Sequence, residues 1–474
     1  MRYEDILLSA IFIPIVGAFL LPLVGRVSRS LRNGLSLVLI LFSFACSLVL
    51  LPRVFSGQSV TFSYVLPLGL DIVFVADKLA VFMSLVSTLI SSVIIFYSFG
   101  YISHYENQNE YYCMVVLFLG AMIGLVFSAN LIFLYLFWEI TAITSWRLIG
   151  FFRERKQVLK ADKAFLVTVF GALLMLLGFI QIYQQTGTFV LTHAALPNIA
   201  VLLILCGILS KSATLPFHTW LPDAGVAPSP VTALLHAAIL VKIGVYVYAR
   251  LFISTYSIDV FWHTAVPIIA AASALVSAGA ALVETDLKRL IAYSTISQIG
   301  FIFFGLAIGN EMAVVGGLLY ILMHGLAKAG LFLCAGIIEQ NTKTKNITEL
   351  GGLIKTMPKT AISFLLCSFS VMGIPPFGGF FSKYMVFSGG IEARQIWISL
   401  VFLVGAFMTI LYLFRVFNMV FLGESKGRDA REQSFSMVAS VVLLAALSLV
   451  GGIFIAFPSS LAQDTAVQML GIYR

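Results

Sequence analysis

The chain has 474 residues, of which 60% are hydrophobic and only 11% charged, with a mean hydropathy of +1.02. A soluble domain carries roughly 25% charged residues, so these proportions exclude a water-soluble globule and make lipid the solvent. The formal net charge of +8 is not gathered into a basic stripe or tail; the basic residues sit in short loops between apolar runs, a membrane pattern that excludes nucleic acid as a partner.

Apolar windows of ~20 residues mark candidate membrane helices. In chain order they fall near 6–25, 34–54, 78–100, 111–128, 129–151, 162–185, 197–220, 229–253, 260–283, 289–308, 311–339, 360–387, 396–422 and 434–457, which predicts an all-α membrane protein of about fourteen spans. The first run, Ile6 to Gly25, is long enough to span and reads as a retained helix rather than a cleaved signal. Between the second and third spans, Gln58 to Asp77 is less apolar and alternates at Val60, Phe62 and Tyr64, which predicts a short external hairpin. No other loop is long enough for a soluble domain, so residues 1–474 read as one membrane domain.

Orientation follows from the loop charges. With the N-terminus outside, the inside loops hold Arg26, Arg29 and Arg32, then Arg153, Arg155, Lys156, Lys160 and Lys163, then Lys288 and Arg289, then Lys343, Lys345, Lys355 and Lys359, and finally Lys426, Arg428 and Arg431. The outside segments hold only Arg2, Arg53, Lys78, Arg250, Arg394 and Arg474, so both termini are placed outside. The acidic inside loop Tyr101–Glu110 does not disturb this, because acidic residues contribute little to orientation.

The five cysteines, Cys46, Cys113, Cys206, Cys334 and Cys367, are scattered in or beside apolar runs, with no CxxC, no CxxCH and no Cys/His cluster. Iron–sulfur, c-type haem and structural zinc sites therefore lack ligands, and no cofactor is expected in this chain.

With loop charges set aside, Glu139, Arg147, Lys211, Lys242, Lys328, Lys383 and Arg415 remain within the spans. Each lysine near a helix centre costs roughly 2.5–3.5 kcal/mol on insertion scales, so four cost on the order of 10 kcal/mol before any pairing. Such residues read as functional. Arg147 and Arg415 lie near the inside ends of their helices and can snorkel, so they read as structural. Lys211 is followed by Pro216, and Lys383 is preceded by Pro375-Pro376 and Gly378-Gly379. Proline within a span frees backbone carbonyls, which is tolerated where they line a wet cavity. Two broken helices, five spans apart, carry a lysine on opposite sides of the break, the pattern of an inverted repeat of spans 4–8 against 9–13. His324 lies four residues before Lys328, hence on one face; His236 shares a span with Lys242, and His218 follows the first break, so all three are candidate relays. His104, His193 and His263 fall in loops and receive no role.

A chemistry follows from these residues. Desolvation disfavours an ammonium and a nearby carboxylate favours it. At ~6 Å and an effective dielectric of ~20, a Glu139–Lys211 attraction is worth about 3 kcal/mol, or roughly a hundredfold in proton affinity. Moving the carboxylate's influence away switches Lys211 from holding a proton to releasing it, so the pair reads as a gate. Lys242, Lys328 and His324 would pass the proton along the membrane midplane, and Lys383 would exchange it with one bulk side.

At these residues the sequence resembles a known family. Pro216-Phe-His-Thr-Trp-Leu-Pro-Asp223-Ala, Ala-Pro-Ser-Pro-Val-Thr-Ala-Leu-Leu-His236-Ala-Ala-Ile-Leu-Val-Lys242, Asp286-Leu-Lys-Arg-Leu-Ile-Ala-Tyr-Ser294-Thr-Ile-Ser-Gln298-Ile-Gly, His324-Gly-Leu-Ala-Lys328 and Gly373-Ile-Pro-Pro-Phe-Gly-Gly-Phe-Phe-Ser-Lys383 are similar to signatures of the antiporter-like subunits of respiratory complex I, Mrp-type Na+/H+ antiporters and membrane-bound hydrogenases. The resemblance runs over most of the chain. It implies fourteen helices with two inverted five-helix repeats: N-terminal helices in 1–110, a first repeat in 111–253, a second in 260–422 and a last helix at 434–457. It also implies a charge chain at Glu139, Lys211, Lys242, Lys328 and Lys383, no redox cofactor, and partners that are other antiporter-like and small membrane subunits, with a redox arm in some complexes. The cargo it implies is H+, Na+ or both, and the place a prokaryotic cytoplasmic (inner) membrane. Some complex I members extend into a lateral helix after the last span, whereas this sequence ends at Arg474, so the distal subunit is not expected. Gly150-Phe-Phe-Arg-Glu-Arg and Thr168-Val-Phe-Gly read closer to Mrp and hydrogenase members. The competing expectation is a stand-alone secondary solute or cation transporter, which would need a polar pocket near the breaks.

Overall fold

The computed structural model describes residues 2–66, 70–426, 430–432 and 434–471. Arg428 and Arg474, counted above among the loop charges, lie outside the described residues. Helices α1 (Tyr3–Val27) and α2 (Arg29–Phe55) lead to an antiparallel hairpin of β1 (Val60–Tyr64) and β2 (Ile72–Ala76), registered from Val60 opposite Ala76 to Tyr64 opposite Ile72. The hairpin is thus where the alternation placed it. Then come α3 (Lys78–Tyr101), α4 (Gln108–Phe127), α5 (Leu131–Ile149), α6 (Arg155–Thr186) and α7 (Asn198–Lys211). A short α8 (Trp220–Asp223) precedes a continuous helical span, Ser229–Ile253, composed of α9 (Ser229–Ala233), a π-helical segment Leu234–Ala238, α10 (Leu240–Tyr248) and a second π segment, Ala249–Ile253. The chain continues through α11 (Trp262–Val283), α12 (Leu287–Ile308), α13 (Glu311–Thr342), α14 (Pro358–Met372), α15 (Gly378–Glu392), α16 (Ile396–Phe417), α17 (Phe435–Ile453) and α18 (Ala456–Met469).

Among the described residues, twelve helices are long and apolar enough to cross a membrane, and Asn198–Lys211 and Pro358–Met372 are shorter apolar helices. Side-chain caps start several of them: Asp77 accepts from the amide of Ala80, Asn130 from Ile132, Asp286 from Lys288 and Arg289, and Asn310 from Ala313. Position in the bundle differs sharply. The apolar window of Ser229–Ile253 is 100% buried and that of α13 is 94% buried, whereas those of α1, α2 and α6 are 39% buried. The first two are therefore central, and the others present a face to lipid.

The two expected breaks are present: the span 197–220 stops being helical at Lys211, and 360–387 is two helices divided at 373–377. Other expectations are corrected. The loop Tyr101–Glu110 is shorter than expected, because α3 runs to Tyr101, Ile102–His104 is a 3-10 turn and α4 starts at Gln108. His263 is in the first turn of α11 rather than a loop. Three presumed loop cations are buried by partners distant in sequence. Arg32 donates to Asn33, Gln108 and Asn109 and lies 4.7 Å from the Tyr112 ring centroid. Arg250 is clamped on Asp77, and Lys288 on Glu339. Burial disfavours the Asp77 carboxylate, but the Arg250 charge and hydrogen bonds outweigh it and hold that group below the usual range. The polar-faced α18 lies beyond the predicted spans; its Gln468 accepts from the amide of Lys78, and its Gln463 donates to Glu311, so it straps one end of the bundle.

Candidate functional site

The first break begins where α7 ends, at Lys211 itself. Ala213 has φ 51°, a left-handed conformation, and the Leu215–Pro216 peptide is cis. The indole of Trp220 donates to the freed Ser210 carbonyl at 2.9 Å, and Ser273 Oγ accepts from the Leu215 amide at 3.0 Å. So supported, the fully buried Lys211 ammonium donates to the Trp138 carbonyl of α5 at 3.2 Å and sits 5.2 Å from that indole. Glu139 is the next residue. It acts on Lys211 electrostatically, without forming an ion pair among the described residues, and its Oε1 has no hydrogen-bond partner there. Glu139 itself is half-buried, on a flank where Leu136 and Ile143 are exposed.

The second element is the π segment at Leu234–Ala238. Ile239 leaves helical geometry (φ −133°, ψ −73°), and the buried Lys242 ammonium donates back to the Ala237 carbonyl. Gly325 lies against that ammonium, Ile90 and the Ala237 carbonyl, so a side chain at 325 would displace Lys242. A π bulge inside an α-helix is a frequent functional device, and no Pro or Gly within Leu234–Ala238 announces it.

Lys328, on α13, reaches α12, donating to the Ile291 carbonyl at 3.2 Å and to Ser294 Oγ at 2.6 Å. Ser294 Oγ and Tyr412 OH are 2.7 Å apart; Tyr412 OH donates to Thr409 Oγ1 at 3.2 Å, as does Gln298 Nε2, and Tyr320 OH donates to Gln298 Oε1 at 2.5 Å. The Tyr320 ring centroid is in turn 5.6 Å from the Lys383 ammonium. A buried hydroxyl–amide chain therefore joins the surroundings of Lys328 to those of Lys383. Ser294 and Gln298 belong to the Asp286–Gly300 motif, but nothing in the sequence marks them, or Tyr320, Thr409 and Tyr412, as a connected set, because buried hydroxyls are common in membrane helices.

Lys383, beyond the second break, reaches back to the Val371 carbonyl in the last turn of α14 at 2.7 Å, where the broken helix leaves carbonyls free. Its ammonium also lies 4.6 Å from the Phe301 ring centroid and borders an apolar cavity of about 620 Å³ lined by Phe380, Tyr384, Phe407 and Ile410.

His236 and His324 are fully buried, and no ring nitrogen of either has a hydrogen-bond partner among the described residues. His324 feels the charges of Lys242, Lys328 and Lys383, and His236 those of Lys328 and Lys288. Both histidines thus lie within the electrostatic reach of the buried lysines. His218 does not join them: half-buried past the first break, it feels Lys163 instead. Arg147 pairs with Glu110, and Arg415 donates to the Glu284 carbonyl, both as structural anchors. Among the described residues no group of three or more His, Cys, Asp or Glu could hold a metal ion.

On one face of the bundle Asp223 gathers Lys163 at 2.8 Å, Arg289 at 2.7 Å and Lys160 at 3.9 Å, and Arg289 also binds Glu284 at 3.0 Å. Burial works against both carboxylates. For Asp223 the bonds and charges of Lys163 and Arg289 prevail, and for Glu284 backbone amides and Arg289, so both groups stay below their ordinary range.

Comparison with known proteins gives the family. The family described as NADH:quinone oxidoreductase/Mrp antiporter, TM, matches residues 128–409, which hold every residue of the line. The chain belongs to this family. A second family, described as NADH-Ubiquinone oxidoreductase (complex I), chain 5 N-terminus, matches residues 63–112. As a member of the NADH:quinone oxidoreductase/Mrp antiporter family the chain is a multi-pass integral membrane protein. It is 32% identical to a Na(+)/H(+) antiporter protein of Staphylococcus haemolyticus, named there as the A1 component, over 96% of its own length and 61% of that protein. It is 34% identical to the corresponding Na(+)/H(+) antiporter protein of Alkalihalophilus pseudofirmus over 93% and 60%. The chain thus spans about three fifths of the length of the curated relatives it matches, and its end at Arg474 carries no argument about a lateral helix. Its fold is similar to a chain of the Mrp complex from Dietzia, with TM-score 0.90, 22% identity and coverage of 99% and 98%. It is also similar to a chain of an archaeal membrane-bound sulfane sulfur reductase, with TM-score 0.89, 23% identity and coverage of 98% and 97%.

Proposed function

We propose that this chain is the ion-conducting part of a proton-translocating subunit of the Na+/H+ antiporter type, working within a multisubunit complex of a prokaryotic cytoplasmic membrane. Proton transfer runs laterally along Glu139, Lys211, Lys242, Lys328 and Lys383, with His236 and His324 as relays. The observation that carries this reading is the burial of all four lysines, each ammonium resting on a backbone carbonyl freed or shared at a helix irregularity or a neighbouring helix, with two buried imidazoles between them. Buried polar atoms without a protein partner are the groups a chain of water molecules would bind, and a lysine in low dielectric can exchange its proton.

In this reading the two shorter helices and their continuations complete fourteen spans, and 111–253 and 260–422 are inverted five-helix repeats. Partner subunits follow from Glu139: a carboxylate on a flank between exposed Leu136 and Ile143 is costly against lipid, so another membrane protein covers it. The sodium/proton antiport named for the two bacterial relatives supports H+ with Na+ as counter-ion. Lys211→Ala in the full-length protein, within its complex, abolishes proton movement in everted vesicles while the complex still assembles; full transport by that variant sinks the proposal.

A further inference from the structure

We propose that the Lys288–Glu339 pair is a proton-loading site, at the wall of a surface cavity, which feeds the lysine line through His236. This rests on the function proposed above and adds an intake point to it. A cavity of about 590 Å³ opens between the loops that follow α3, α11 and α13, and its lining includes Tyr101, Asp286, Glu339, Lys343, Thr344 and Lys345. These loops lie on the face that carries the basic residues. Two carboxylates line the cavity, Asp286, 3.5 Å from the Lys345 ammonium, and Glu339, with 27% of its side chain exposed, while the Lys288 side chain beside Glu339 is 2% exposed. The Lys288 ammonium donates to Glu339 Oε2 at 3.1 Å and to the Ala227 carbonyl at 2.7 Å, and Ser229 Oγ donates to the same carboxylate oxygen at 3.3 Å. One partner of the pair therefore meets the cavity and the other is sealed inside.

The sealed partner lies on α12, the helix that also holds Lys328. Lys288 acts electrostatically on His236, whose ring also feels Lys328. Along α12, the Ile291 carbonyl and Ser294 hydroxyl that hold Lys328 are three and six residues beyond Lys288, about 9 Å of axial rise to the farther one. A proton taken from cavity water by the Glu339 carboxylate neutralises it and loosens the ion pair. Lys288 then passes its own proton to a ring nitrogen of His236, and the neutral amine recovers the proton held by Glu339, which restores the pair. One proton has moved from the cavity to His236, which hands it on along the line, and the Lys288–Glu339 pair is as it was.

A structural tie between α12 and α13 would place the same atoms, so the test needs a readout that a tie does not move. In everted vesicles holding the full-length protein and its native partners, Glu339→Gln should lower the transport rate at least about tenfold and make it insensitive to pH on the cavity side. Glu339→Asp should restore both. In a Thr344→Cys variant, a bulky membrane-impermeant maleimide applied from the cavity side should slow transport relative to the same variant unlabelled, and this arm stands if Glu339→Gln fails to assemble. Wild-type rate and pH dependence in Glu339→Gln, with Lys328→Ala inactive, overturns the intake site alone. Retained transport in both Lys211→Ala and Lys328→Ala overturns the route on which it depends.

Discussion

The two broken helices place a lysine at a break by opposite means. At the first, Lys211 is the last residue of α7 and reaches across to α5, where it meets the Trp138 carbonyl and the field of Glu139. At the second, Lys383 lies beyond the break and turns back to the Val371 carbonyl of the half-helix that precedes it, between the faces of Phe301 and Tyr320. A full opposing charge acts at the first break, whereas the groups that hold Lys383 at the second, among the described residues, are a carbonyl dipole and ring quadrupoles. A carboxylate can be neutralised or re-paired, whereas a ring face cannot. The first site is therefore suited to switching, and the second to holding a cation of fixed affinity next to the apolar cavity.

The largest effect that would break this contrast is at Glu139. Glu139→Gln should slow transport by about a hundredfold, the factor that ~3 kcal/mol of charge coupling represents, with Glu139→Asp retaining most activity; dye-monitored acidification of vesicles reads both. If the carboxamide variant pumps normally, the first break is not a charge switch. At the second break, Phe301→Leu removes a ring worth up to ~2 kcal/mol to a desolvated cation, so the transport rate should change on the order of tenfold while Phe301→Tyr stays near wild type. Gly325→Ala, which drives a methyl against the Lys242 ammonium, should cost several-fold in rate by interrupting the line between the breaks, and a neutral outcome there would argue that Lys242 is bypassed.

The smallest effect concerns the charged face below the first break. Asp223 and Glu284 are held below their ordinary range, so each contributes stability that is complete above about pH 4–4.5, their unfolded values, and is lost as pH falls through the lower folded ones. Asp223→Asn should cost about 1 kcal/mol near neutral pH and flatten the acid limb of a thermal-stability profile recorded in detergent. An unchanged acid limb would mean that Lys160, Lys163 and Arg289 find other partners.

Much of this is readable from the chain. Span positions follow from apolar length, the hairpin from its alternation, and the lysines from the cost of charge in lipid. Lys211 and Lys383 are flagged by adjacent prolines, which leave a visible mark. What escapes such reading depends on partners far away in sequence. Lys288 and Arg250 look like any loop cation until folding brings Glu339, 51 residues away, and Asp77, 173 residues away, against them. The hydroxyl–amide chain from Ser294 to Tyr320 escapes for a different reason: serine, threonine and tyrosine in a membrane helix usually bond nearby backbone, and only tertiary packing makes them neighbours.

The π segment at Leu234–Ala238 amounts to an α-helix carrying one residue too many. Such a surplus can be lost without moving the ends of the helix. Deleting Ala238 would let the segment relax to ordinary helix, keep α9 and the end of the span in place, and withdraw the carbonyl on which Lys242 rests. The span is thus two instruments in one length of chain, a membrane anchor that tolerates a change of register and, on the proposed route, a proton seat that does not. Selection can act on the seat by insertion or deletion as well as by substitution.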